Sequence, residues 1–176
     1  MQAVFRIVVW TVVLLLSLSG CATSPTPSGS AAAGLVGNWR LLAAETLRDN
    51  GEITTVWMGE KPVGLITYQP NGLMSVQIMR DPRPAFASGS RASATPEELK
   101  NAFFGYYAYW GTYAVHATDS SVSHQLAASL FPEEVGIVYK RFFKFQGERL
   151  VLTTAPINYE GRQIVNRLMW ERMPTP

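Results

Sequence analysis

Few side chains here combine the type and spacing that chemistry needs, and most of those are aromatic or basic. His124 lies two residues from Val122 on one side and from Leu126 on the other, so on an extended strand it shares their apolar face. A histidine so placed is desolvated, which disfavours the imidazolium and keeps the ring neutral. Two readings stay open: a core histidine held by a tyrosine hydroxyl or a carbonyl, or a donor or proton carrier at the base of a pocket. Arg141 poses the same choice. Tyr139, Arg141, Phe143 and Phe145 alternate onto one strand face, while Lys140 and Lys144 take the other. A guanidinium among inward aromatics must be paired. Its partner is a protein carboxylate such as Glu133 or Glu134 in the preceding loop, a cluster of carbonyls, or the carboxylate of a bound acid held bidentately. The densest aromatic segment contains Tyr106, Tyr107, Tyr109, Trp110 and Tyr113. It offers core bulk together with hydroxyls that orient a ligand. With His124 and Arg141, the candidate ligand contacts are Tyr109, Tyr113, Tyr68, Phe143 and the adaptable Met74.

Other chemistries find no support. The two histidines, His116 and His124, and a single cysteine supply no metal-ligand spacing. No glycine-rich phosphate loop and no Gly-x-Ser-x-Gly nucleophile motif is present. Glu97-Glu98 is accounted for by helix capping, and Glu133-Glu134 falls in a loop, so neither reads as a catalytic carboxylate pair. No catalytic residue, cofactor or metal is assigned.

Those residues need a scaffold. Ala22 to Gly34 is rich in Ser, Thr, Pro, Ala and Gly without charge or large apolar residues, so residues 21–34 read as a flexible tether. About 140 residues then remain, enough for one domain over 35–173. Turn residues at Asp49-Asn50-Gly51, Pro70-Asn71-Gly72, Gln146-Gly147-Glu148 and Glu160-Gly161 separate β-branched and aromatic runs. Strands are expected at 38–45, 53–58, 63–69, 73–79, 107–117, 122–128, 136–145, 149–154 and 164–172. Asn71-Gly72 predicts a two-residue type I′ hairpin. Eight or nine consecutive antiparallel strands satisfy their edges by closing into a barrel, so an all-β class is expected. Thr95-Pro96-Glu97-Glu98 is a capping box with proline at the first helical position, predicting one short helix to about Phe104. The Pro- and Ser-rich stretch 80–94 before it predicts a flexible loop over a barrel mouth.

The amino terminus carries a separate message. Ile7 to Leu16 is apolar apart from Thr11, follows Arg6, and runs into Leu18-Ser19-Gly20-Cys21. This resembles the signal and lipobox of bacterial lipoprotein precursors: residues 1–20 are removed and Cys21 takes a thioether-linked lipid. The segment is too short to span a bilayer. Several acyl chains bind a membrane durably where one is marginal. Loss of Arg6 leaves fourteen basic side chains against thirteen acidic ones, so charge gives no case for nucleic acid. The expected location is the bacterial cell envelope. Ala22 after the cysteine favours the periplasmic face of the outer membrane if the source is Gram-negative.

Gly37-Asn38-Trp39 near the start and Trp170-Glu171-Arg172 near the end resemble the calycin barrels, where an early tryptophan packs beside a late arginine. First and last strands are neighbours in a closed barrel, so Trp39 and Arg172 can stack and plug one end. Gly64-Leu65-Ile66-Thr67-Tyr68, Tyr109-Trp110-Gly111-Thr112-Tyr113, His124, Gly136, Arg141 and Leu150 to Thr153 extend the likeness. The chain resembles the bacterial and fungal lipocalin-like domain family, which implies an antiparallel lipocalin-like β-barrel with an internal cavity and brings no catalytic set. The leading expectation is a membrane-anchored protein whose barrel holds a small hydrophobic or amphipathic, acidic or neutral, molecule. The alternatives are an envelope-assembly lipoprotein with a filled barrel, and an isomerase or cyclase using His124 or a tyrosine as proton carrier.

Overall fold

The computed structural model describes residues 33–55 and 58–174. The signal segment, Cys21 and all but the last two residues of the tether lie outside the described residues. Ten strands form one antiparallel sheet: β1 (Gly37–Arg48), β2 (Ile53–Thr54), β3 (Val63–Tyr68), β4 (Leu73–Met79), β5 (Tyr106–His116), β6 (Ser121–Ser129), β7 (Val138–Gln146), β8 (Arg149–Thr154), β9 (Ile157–Tyr159) and β10 (Arg162–Arg172). Eight run in the order β1-β3-β4-β5-β6-β7-β8-β10, and β10 returns to pair with β1, closing a barrel. β2 and β9 extend it at the edges of β1 and β10.

Alternation builds the interior. Ile66 and Tyr68 on β3, Met74, Val76 and Ile78 on β4, and Val122, His124 and Leu126 on β6 are all buried, while the residues between them are more exposed. β5 and β6 approach closely where a register shift follows Trp110. A Cβ on Gly111 would collide there with the Gln125 carbonyl, so only glycine admits the approach.

The expected bounds of β4 and β8 match the observed ones, and α1 (Pro96–Phe104) has its capping box: the Thr95 hydroxyl accepts from the Glu98 N–H while the Glu98 carboxylate accepts from the Thr95 N–H. The other expected strands are shifted by one to three residues at their ends, and three larger details differ. The strand expected over 53–58 is confined to Ile53–Thr54 among the described residues. β9 was not anticipated; its three residues are all exposed and carry no alternation to read. The Asn71-Gly72 turn is not type I′, because Gly72 has φ +85° but Asn71 is not in the positive-φ region. Pro70 fixes its own φ near −65° and takes the first central place of a Gln69-to-Gly72 turn, where Gly72 N–H donates to the Gln69 carbonyl. The turn with positive φ at both central residues is Glu160 (50°) and Gly161 (76°), joining β9 to β10.

One end of the barrel is sealed. Trp39 pairs with Arg172 across β1 and β10, and the Arg172 guanidinium lies 4.1 Å over the indole. That guanidinium also donates to the carbonyls of Val36 and Gly34, and the Trp39 indole N–H donates to the Leu35 carbonyl at 2.8 Å. Residues 33–35 form a helical turn beneath the strands, and Leu35 is fully buried. Because β4 ends and β5 begins at the other end, the 80–94 segment and α1 belong there. Arg83 donates to the Ala102 carbonyl and Ala87 N–H to the Glu98 carboxylate, binding segment to helix.

Candidate functional site

The barrel encloses a lumen of about 60 Å³. Its wall is mostly apolar, with Ile66, Val76, Ile78, Leu152 and Leu168, and carries a polar set of Tyr107, Tyr109, His124, Arg141, Thr154 and Asn166, with the Trp170 indole alongside.

Strand alternation places His124 inward on β6, where it is 1% exposed. Both ring nitrogens are engaged: Nε2 lies 2.8 Å from the Tyr68 hydroxyl and Nδ1 lies 2.9 Å from that of Tyr109. A neutral imidazole has one N–H and one lone pair, so one tyrosine accepts from it and the other donates to it. Burial, with Arg141 adding to it, pushes the His124 pKa down to about 3. Burial likewise pushes the Tyr109 hydroxyl up to about 12 and raises Tyr68 well above its usual range. All three groups are therefore neutral near pH 7. His124 is a satisfied bridge between two tyrosines, which is the core-histidine alternative of the sequence.

Arg141 is half-buried on β7. Its guanidinium sits 4.6 Å over the Tyr139 ring and donates to the Lys140 carbonyl at 3.1 Å. The expected carboxylate partner in the preceding loop is not there. Glu134 instead accepts from the hydroxyls of Tyr107 at 3.0 Å and Ser129 at 2.6 Å. Those neutral donors lie on β5 and β6, and on β7 the pKa of the neighbouring Tyr139 hydroxyl is raised, chiefly by burial and further by the same carboxylate.

Trp170 is fully buried, yet its indole N–H has no hydrogen-bond partner among the described residues. A buried donor left unmade costs about 1–3 kcal/mol. Thr154 faces Arg141 across β7 and β8, and its hydroxyl oxygen accepts from the Asn166 N–H at 3.0 Å.

Of the expected contacts, the structure brings Tyr109, His124 and Arg141 to the lumen. Tyr68 backs His124 from the core. Tyr113 donates to the Gln69 carbonyl and stacks edge-on with Tyr68 at 4.9 Å, toward the sealed end. Met74 is buried in the core and Phe143 packs against it; neither lines the lumen. Trp170, Thr154, Asn166 and Tyr107 were missed as lining residues. Strand alternation gave the signal for Trp170, which shares a face with Leu168, but not its unpaired N–H. His116 points outward to the Ser123 hydroxyl.

A chain of ring contacts runs from the open end inward: Phe103 to Phe131 at 5.2 Å, Phe131 to Tyr107 at 5.8 Å, Tyr107 to Tyr109 at 5.5 Å and Tyr109 to His124 at 5.9 Å. At its outer end Leu99, Phe103 and Phe104 on α1, with Val135, Ile137 and Val138 before and at the start of β7, are exposed. Among the described residues no group of three or more His, Cys, Asp or Glu is arranged to hold a metal, and no helix is long and apolar enough to cross a membrane.

Comparison with known proteins gives one family. The family model described as a lipocalin-like domain matches residues 36–173. A crystal structure of a lipocalin-like protein from Bacteroides uniformis ATCC 8492 aligns with a TM-score of 0.40 at 14% identity, over 80% of this chain and 99% of that one. No curated protein matches the chain.

Proposed function

The chain belongs to the lipocalin-like domain family, and on that premise we propose that its barrel binds a small hydrophobic or amphipathic molecule. The observation that carries this reading is the lumen itself: apolar walls and a few convergent polar groups inside a closed barrel. At about 60 Å³ the lumen is smaller than the roughly 300–1,000 Å³ of drug-sized sites. The ligand is accordingly slender, with one end in the lumen and the rest against the aromatic residues of the open end. Both His124 nitrogens are bonded and the ring is neutral, which supports binding over proton transfer at this residue.

We also propose that Cys21 is acylated and holds the barrel on the bacterial envelope, at the periplasmic face of the outer membrane where the source has two. The support is Leu18-Ser19-Gly20-Cys21 after an apolar run. Incorporation of an alkyne-labelled palmitate that disappears in Cys21→Ser tests it; equal labelling of both proteins refutes it.

Native mass spectrometry of protein purified from its own host tests ligand binding. The expected spectrum shows an adduct that leaves on delipidation and is replaced by an added fatty acid or fluorescent apolar probe. The narrow lumen favours a second reading, an envelope protein with a side-chain-filled barrel, and a spectrum with no adduct and no uptake would select it.

A further inference from the structure

Exposed apolar surface is shared unevenly between the two ends of the barrel. Of the thirteen large apolar side chains exposed among the described residues, ten lie at the open end, and Leu73, Trp110 and Met173 are the exceptions. The ten come from every side of the mouth: among them are Ile53 on β2, Val63 at the start of β3, Phe104 on α1, Val135 before β7 and Tyr159 on β9. Phe103, Phe104 and Phe131 pack ring against ring at 5.2 to 6.5 Å and fix α1 to the segment between β6 and β7. Apolar surface gathered in this way marks a contact with another molecule or with a membrane. The exposed charges around it are of both signs, with Lys61, Arg83 and Lys100 against Glu60, Glu97 and Glu133.

A globular partner meets a patch on one side of a mouth, whereas a flat apolar phase meets every side at once. We propose that the open rim docks on a lipid bilayer, with α1 and the segment before β7 placing their aromatic and aliphatic side chains among the headgroups. Charges of both signs suit a zwitterionic surface and give no preference for an anionic one. The length of chain before the barrel permits this orientation. The anchor reading above puts Cys21 in the membrane, and Cys21 and Ala33 at the sealed end are twelve residues apart, a reach of about 40 Å when extended. β5, with 11 residues, measures about 36 Å along the strand and about 28 Å along the axis of a barrel tilted by about 40°. The tether thus passes the full length of the barrel, and the bilayer that holds the lipid also receives the rim. Only this choice of bilayer rests on the anchor reading; the affinity of the rim for lipid does not.

Flotation with phosphatidylcholine vesicles of residues 21–176 carrying Cys21→Ser, which has no acyl anchor, reads the rim alone. This chain is expected to float. Phe103→Ser with Phe104→Ser lowers its partition coefficient at least about tenfold, while Trp110→Ser on the outer wall leaves it unchanged. Orientation is read on the acylated protein, with a nitrobenzoxadiazole dye on Val135→Cys at the rim or on Gln146→Cys at the sealed end. In vesicles containing doxyl-labelled phosphatidylcholine the Val135 dye is quenched and the Gln146 dye is not. Dye on Cys21 of the parent protein overturns the anchor reading, and flotation then decides docking by itself. A Cys21→Ser chain that stays with the dense fraction, or that floats equally after the double substitution, overturns the proposal when circular dichroism shows the variants folded. Quenching at Gln146 alone also overturns it, and leaves the rim to a protein partner.

Discussion

The two arginines that face the barrel interior occupy opposite situations. At the sealed end Arg172 stacks on Trp39, and its guanidinium donates to the Val36 and Gly34 carbonyls. In the lumen Arg141 stacks on Tyr139 and has one backbone acceptor and no acid. The tryptophans divide the same way, for the Trp39 N–H is bonded to Leu35 and the Trp170 N–H is not bonded. A group whose partners are all within the chain stabilises the fold; a buried group left unsatisfied costs stability and is retained where something else uses it. The sealed end is thereby tied together by partners within the chain, while the lumen arginine has fewer of them.

The sharpest way to break this comparison is at the seal. Trp39→Ala removes a fully packed indole together with its hydrogen bond and stack, and is expected to cost about 3–5 kcal/mol in urea unfolding. A cost under about 1 kcal/mol would mean the seal is not structural.

Next comes pH. The His124 pKa is depressed in the fold to about 3 from an ordinary 6.5, so the unfolded chain binds the extra proton between those values. Stability from the neutral ring is therefore complete above pH 6.5 and is lost as pH falls toward 3, at up to about 1.4 kcal/mol per pH unit. Unfolding measured from pH 7 to pH 4.5 should show this slope, and His124→Gln should abolish it. An imidazole resonance of His124 titrating near pH 6.5 in the folded protein would contradict the buried bridge.

Arg172→Met removes two charge-assisted hydrogen bonds and a cation–π contact, for an expected loss of about 2–3 kcal/mol. Arg141→Met removes a cation without a counter-charge, so stability should change by less than about 1 kcal/mol and can rise. Equal losses in the two variants would erase the distinction between seal and lumen.

Much of the architecture is legible in the residues. Period-two alternation marks β4 and β6, and the Thr95 to Glu98 box marks the start of α1. Gly37-Asn38-Trp39 and Trp170-Glu171-Arg172 sit on the strands whose pairing closes the barrel. What escapes is of two kinds. Turn geometry at Pro70-Asn71-Gly72 depends on which residue takes the first central place, and proline claims it. Depth is the other. Alternation assigns Tyr68, Met74, Tyr113 and Phe143 to the inward face as readily as Tyr109 and Arg141, but the packing of opposite walls decides which of them border free space. The orphaned N–H of Trp170 concerns missing partners, and a linear pattern of residue types does not encode that.

A crystal structure of the protein grown with decanoate tests the central claim most directly. The account predicts density in the lumen, bordered by Tyr109, His124 and Arg141, and continuing toward the open end. A lumen closed by its own side chains, with the acid bound elsewhere or absent, would contradict it.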